Sequence, residues 1–123
     1  MGYTPVHAFD NDPDSVRIAR ANARTNRVAG VVRVSARDVT RMPLCWRKYS
    51  VVCANLIAPL LIREHRRIAA RVARGGLVVL AGILRAEFWQ VRKVYENAGL
   101  KLVASRGEKE WRSGAFVNPR VGL

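Results

Sequence analysis

Two near-continuous apolar runs, Tyr49-Ser50-Val51-Val52-Cys53-Ala54 and Leu77-Val78-Val79-Leu80-Ala81, constrain the fold of this chain more than any other feature. Runs of this length without polar alternation are the pattern of strands covered on both faces, as in a parallel sheet. Between them, Pro59 opens a long helix through Ile62, Ile68, Ala69 and Val72. Arg63, Arg66, Arg67 and Arg71 line its outer side, and Gly75-Gly76 closes it. A strand, a helix and a further strand in this order form the repeating unit of an α/β sheet.

The flanking segments extend that pattern. Val6-His7-Ala8-Phe9 reads as a strand ending in Asp10, and Asp12-Pro13 is an N-cap residue followed by proline at the first helical position. The helix it opens buries Val16, Ile18, Ala19 and Ala23, turns Arg17, Arg20 and Arg24 to water, and ends at Asn26 or Gly30. Val31 to Val34 is a second strand, and Ser35 to Met42 is a polar loop carrying Asp38. After the second apolar run, Ile83 to Ala98 reads as a helix through Phe88, Val91, Val94 and Tyr95, stopped by Gly99. Leu100-Lys101-Leu102-Val103 and Gly114-Ala115-Phe116-Val117 are the last two strands, joined by a polar connection containing Trp111 and expected to form an antiparallel hairpin. The fold class is therefore α/β, with helices on both faces of the sheet, in one domain over residues 1–123.

A chain of 123 residues buries roughly two-thirds of its unfolded surface, so no disulfide or metal staple is required. Cys45 and Cys53 form no CxxC pair; both are expected reduced and structural, Cys53 packed inside its apolar run. The longest apolar stretch, Leu77 to Leu84, falls far short of the roughly 20 residues a membrane helix needs. No basic-then-apolar leader opens the sequence, so a cytosolic protein is expected. A net charge of +13 invites an anionic partner, and weak electrostatic contact with RNA is expected. The arginines are dispersed and no run of five basic residues occurs, so a specific nucleic-acid surface is not called for.

In doubly wound sheets ligands bind beyond the carboxyl ends of the strands. Asp10, Asp38 and Asn55 stand at such ends. A carboxylate in Asp10's place suits the two hydroxyls of a ribose, or else merely assists the turn into the helix capped by Asp12. Asp10, Asp12 and Asp14 imitate the start of a calcium loop, but Pro13, Ser15 and Ala21 break the pattern and exclude calcium. His7 and His65 lack partners at metal spacing and read as surface or packing residues, so no metal is expected.

The stretches Val6-His7-Ala8-Phe9-Asp10-Asn11-Asp12-Pro13, Ala54-Asn55-Leu56-Ile57-Ala58, Ala73 to Leu84 and Glu110-Trp111 resemble, in order and spacing, the motifs of the bacterial ribosomal protein L-eleven methyltransferases. The acidic residue after a strand is common to many nucleotide-binding folds. Asn-Leu-Ile-Ala after a buried strand, followed by a helix, Gly-Gly and Ala-Gly-Ile-Leu, is considerably more specific. The resemblance implies a Rossmann-like class I methyltransferase sheet and S-adenosylmethionine (AdoMet) as cofactor. It implies that Asp10 binds the cofactor ribose, that Asn11 flanks the adenine, and that Asp38 contacts the adenine ring or its amino group. Asn55 then lies near both the methyl donor and the incoming amine, although an asparagine there could instead cap the following helix. The substrate implied is an amine of a ribosomal protein.

Two departures from the family accompany the resemblance. The family's strand and glycine-rich loop before the Asp10 strand have no counterpart, Met1 to Pro5 resembling the end of the intervening helix and its turn. The family's substrate-gripping N-terminal domain has none either. That strand would be the central one, so its loss should leave a gap of unpaired backbone or force a shifted pairing, and the chain alone should bind AdoMet poorly or not at all. The other readings are a non-catalytic basic Rossmann-like module on RNA or a ribosomal protein, and a related enzyme methylating a small molecule or nucleic acid. The methyltransferase reading requires Asp10 and Asn55 to face one crevice from their strand tips.

Overall fold

The structure, a computed structural model, describes residues 6–10, 12–27, 29–30, 32–43 and 47–119. Asn11, Cys45 and the segment Met1 to Pro5 lie outside these residues. The chain folds as two compact units, Met1–Met42 and Pro43–Leu123.

In the first unit β1 (Val6–Asp10) pairs in parallel with β2 (Val32–Ala36), from Val6 opposite Val32 to Asp10 opposite Ala36. The helix between them, α1 (Pro13–Thr25), starts where Asp12 and Pro13 place it, the Asp12 carboxylate accepting from the Asp14 N–H (3.0 Å). Asn26 is its C-cap, and the left-handed residue is Arg27 (φ 59°), not Gly30. Val16 and Ala23 are buried, but Ile18, expected in the stripe, is exposed on the flank. Arg20 does not simply face water. Its guanidinium donates to the Val34 carbonyl through Nε (3.2 Å) and an Nη (2.9 Å), tying helix to strand.

The second unit is a four-stranded sheet with the order β3-β4-β6-β5. β3 (Tyr49–Asn55) is parallel to β4 (Val72–Leu84), and β6 (Trp111–Val117) runs antiparallel between β4 and β5 (Lys101–Glu108). The antiparallel hairpin is as expected, but its strands are longer. Trp111 lies in β6, opposite Glu108, and the turn is only Lys109 and Glu110, with Lys109 left-handed (φ 54°). Among the described residues β3 is an edge strand of its sheet.

The long helix expected from Pro59 is two short ones, α2 (Ala58–Arg63) and α3 (His65–Ala69), broken at Glu64. Side chains take over carbonyls that a continuous helix would use internally. His65 Nδ1–H donates to the Ile62 carbonyl (2.8 Å) and the Tyr95 hydroxyl to the Leu61 carbonyl (2.8 Å). His65 also packs edge-on against Tyr95, the packing role read from its isolation in sequence. Val72, placed in that helix by periodicity, belongs to β4 opposite Tyr49. Gly75-Gly76 are not a helix stop but an irregularity inside β4. Gly75 is left-handed (φ 76°), and a Cβ on Gly76 would sit 2.8 Å from the Ala73 carbonyl oxygen. Asn118 staples the kink, exchanging backbone bonds with Gly75 (2.7 Å) and Gly76 (2.9 Å) and donating from Nδ2 to the Val72 carbonyl (2.9 Å).

β4 likewise runs past Ala81 to Leu84, so the last helix, α4 (Phe88–Asn97), starts later than Ile83. Its helices cover one face of the sheet. Val78, Leu80, Ile83 and Phe116 are buried against Leu61, Ile68, Phe88, Val91 and Tyr95, each such burial being worth roughly 1.5–3 kcal/mol. On the other face Leu77, Val79 and Ala81 are only half-buried and Cys53 is exposed. The expectation of a packed Cys53 thus fails, because Cys53, opposite Val79, stands on this less covered face.

Tyr95 makes a direct stability prediction. Burial pushes its hydroxyl pKa well above the ordinary tyrosine range. The unfolded chain therefore loses this proton first, so stability should hold below about pH 10 and decline as pH rises beyond it. Tyr95→Phe should cost about 1–2 kcal/mol by stranding the buried Leu61 carbonyl, and should remove this residue's part of the alkaline decline. Urea denaturation of both proteins at neutral and alkaline pH checks the two statements together.

Candidate functional site

Asn55 is the last residue of β3, opposite Ala81 of β4, and its side chain is exposed. The chain then turns through Leu56 and Ile57 into α2, whose N-cap is Ile57 in extended conformation (φ −65°, ψ 152°). Pro59 in the first turn sacrifices no helical hydrogen bond. No side chain caps this helix. The alternative of Asn55 as a cap is therefore not taken, and its amide makes no hydrogen bond among the described residues.

The room for the Asn55 side chain is set across the ladder. Gly82 sits in the irregularity of β4 between Leu80 and Ile83, left-handed at φ 80°. A Cβ added there would collide with the Asn55 Oδ1 and would come within 3.3 Å of the Leu56 carbonyl oxygen. Gly82 is thus part of the site through its missing side chain. Sequence reasoning quoted it within a motif but assigned it no role; a glycine just after a buried strand was the available signal. Ile57, Leu84 and Trp111 are exposed large apolar residues at the same end of the sheet, Leu84 standing opposite Trp111. An amide with unspent hydrogen-bonding capacity beside an apolar rim can accept from, and orient, a polar group carried on an aliphatic stem.

In the first unit Asp10 and Asp38 come together at the carboxyl end of the β1–β2 ladder. Asp10 pairs with Ala36, and its carbonyl accepts from the Arg37 N–H (2.9 Å), one residue before Asp38. The exposed Asp10 carboxylate accepts from the Asp12 N–H through Oδ1 (2.9 Å), so it does assist the turn into α1. A carboxylate has acceptor capacity beyond that one bond. Asp38 caps a 3-10 turn, Val39–Arg41, its Oδ1 accepting from the Thr40 N–H (2.9 Å) and hydroxyl (2.7 Å). Both aspartates have local structural work compatible with a ligand role. Among the described residues no group of three or more His, Cys, Asp or Glu gathers at metal-binding distance, and no helix is long and apolar enough to cross a membrane.

A match to the protein family described as ribosomal protein L11 methyltransferase (PrmA) spans residues 1–118. A relative of that name from Citrifermentans bemidjiense is 34% identical over 119 residues, which is 97% of this chain and 37% of the relative. Another from Rhizobium etli is 35% identical over 117 residues, 94% of this chain and 40% of the relative. The chain thus spans about two-fifths of the curated relatives it matches. The crystal structure of a ribosomal protein L11 methylase from Lactobacillus delbrueckii subsp. bulgaricus superposes with a TM-score of 0.86 over 97% of this chain and 60% of the other, at 17% identity. That likeness shows a Rossmann-like class I methyltransferase fold.

Proposed function

The chain belongs to the ribosomal protein L11 methyltransferase family, and on that premise we propose that it forms the cofactor- and amine-binding part of an AdoMet-dependent protein methyltransferase acting in the cytoplasm on a ribosomal protein. Both compact units would then be parts of one methyltransferase domain over residues 1–123, a reading favoured by the single family match running through both. The observation that carries the proposal is Asn55: a strand-tip amide, exposed, spent on no cap, in a place kept open by Gly82.

The donor set suits the cofactor. Asp10 offers carboxylate oxygen to the ribose hydroxyls, Asp38 stands at the same ladder end for the adenine edge, and Asn11 is assigned the adenine flank from the family motif. AdoMet, when bound, supplies an electrophilic methyl group on sulfur. The protein's own task is to present a neutral amine in line, because only its lone pair can attack. The apolar rim of Ile57, Leu84 and Trp111 can pack against the aliphatic stem that carries the incoming amine. The Asn55 Oδ1 and the Leu56 carbonyl can accept the amine's N–H groups and aim its lone pair. Alignment of this sort supplies up to about 7–11 kcal/mol in well-oriented systems, and no strong general base is required.

The test is a chimera in which residues 1–118 replace the matched segment of the Citrifermentans bemidjiense relative. Methyl transfer from AdoMet to ribosomal protein L11, read by mass spectrometry, is the expected result. A folded chimera that binds AdoMet yet transfers nothing overturns the proposal. In the same chimera Asp10→Ala should weaken AdoMet binding about 10- to 100-fold, as expected for losing hydrogen bonds to a charged group. Asp10→Asn, which can still accept from the Asp12 N–H, should separate the charge from the turn. Calorimetric titration of the two variants decides it; unchanged affinity in both would remove Asp10 from the site.

A further inference from the structure

Cations crowd the end of the second unit's sheet opposite Asn55. Between Asp38 and Glu87 the sequence contains a single acid, Glu64. Over residues 47–74 it faces seven cations: Arg47, Lys48, Arg63, Arg66, Arg67, Arg71 and Arg74. Glu64 is 5% exposed and already bound to Arg67 (2.8 Å) and Arg63 (3.2 Å), so it offers nothing to the surface. The fold gathers most of the other cations. The Tyr49 N–H donates to the Arg71 carbonyl (2.7 Å), and Lys48 Nζ donates to the Ala70 carbonyl (2.8 Å). The Ala70 N–H donates in turn to the Arg66 carbonyl (3.0 Å), one helical turn back. The Arg71 guanidinium donates to the Pro43 carbonyl (3.1 Å), and the Arg47 guanidinium lies 5.8 Å from the centre of the Tyr49 ring. Lys48 and Arg71 are thus held by neutral carbonyls, which position their charge without cancelling it.

We infer that the amino-terminal end of β3 and β4, together with α3, is a docking surface for the phosphodiester backbone of RNA. Guanidinium groups match phosphate in geometry as well as charge, and six of the seven cations here are arginines, four of them (Arg47, Arg66, Arg71 and Arg74) outside the Glu64 pairs. An acidic polypeptide would meet the same charge, but the arginine excess favours phosphate over carboxylate spread along a flexible chain. β3 has seven residues, so this surface lies roughly 20 Å from Asn55 and can be occupied together with that end of the sheet.

The experiment measures binding of the 123-residue chain to a labelled single-stranded RNA by fluorescence anisotropy across a salt series. Each phosphate contact contributes a slope of about −0.7 in log affinity against log salt for single strands, so removing three cations should flatten the slope by about 2. Lys48→Gln, Arg66→Gln and Arg74→Gln combined should do so and weaken binding at least tenfold at moderate salt. The charge-matched set Arg92→Gln, Lys93→Gln and Lys101→Gln should leave most of the affinity intact. Arg66→Gln with Arg74→Gln alone removes no side-chain hydrogen bond or ion pair among the described residues and keeps the test valid if the triple variant misfolds; about two-thirds of the slope change is then expected. Equal losses from both charge-matched sets, or no RNA binding at all, would overturn the inference. So would polyglutamate or anionic phospholipid vesicles binding as tightly as RNA at the same ionic strength.

Discussion

Replacing Asn55 with alanine is expected to lower methyl transfer by about 100-fold or more in the chimera, the scale on which a single positioned polar group acts in a transition state. Stability should hardly change. The side chain is exposed, caps no helix and makes no hydrogen bond among the described residues, so its truncation strands no buried partner. The two readouts together are diagnostic, because a structural asparagine would show the opposite pattern, with loss of melting temperature ahead of loss of rate. The decrease should fall mainly on kcat, since the amide is assigned to orient the amine. Denaturation midpoints and steady-state kinetics of the two proteins check it. A variant that unfolds more easily yet retains its rate would return Asn55 to the role of a turn residue.

The second large effect is expected at Gly82. An alanine there must adopt a left-handed conformation, at a cost of about 1–2 kcal/mol, and its Cβ would collide with the Asn55 Oδ1. The amide must then move, and displacement of a positioning group by about 1 Å can cost about 100-fold in rate. Gly82→Ala should therefore lose stability modestly and activity heavily. If the activity loss is transmitted through Asn55, the double variant Asn55→Ala with Gly82→Ala should be no slower than Asn55→Ala alone. Rate losses that simply multiply would show that Gly82 acts by another route.

Much of the organisation was legible because it rests on local chemistry. Asp12 and Pro13 start α1, the apolar runs become parallel strands paired through Val51–Asn55 and Leu77–Ala81, and the last two strands form an antiparallel hairpin. Asp10, Asp38 and Asn55 all stand at strand ends or just past them. The misreadings share one physical origin. Val72 looked helical because the periodic stripe of α3 runs into it, yet its carbonyl is claimed by Asn118, far along the chain. The helix looked continuous because nothing near Glu64 announces that Tyr95, 34 residues beyond Leu61, will take the Leu61 carbonyl. Cys53 looked buried because hydropathy cannot tell a strand covered on both faces from one covered well on a single face.

Kind and order of elements were therefore determined by the sequence alone, since caps, hydrophobic period and strand-ending polar residues act within a few residues of themselves. Tertiary structure alone decided where β4 begins and ends, where α2 breaks, and why Asn55 has an open place to stand. Each of those outcomes depends on a hydrogen bond or a steric exclusion between residues remote in the chain. A backbone carbonyl carries no mark in the sequence of the partner that will satisfy it, and a glycine carries none of the side chain it leaves room for.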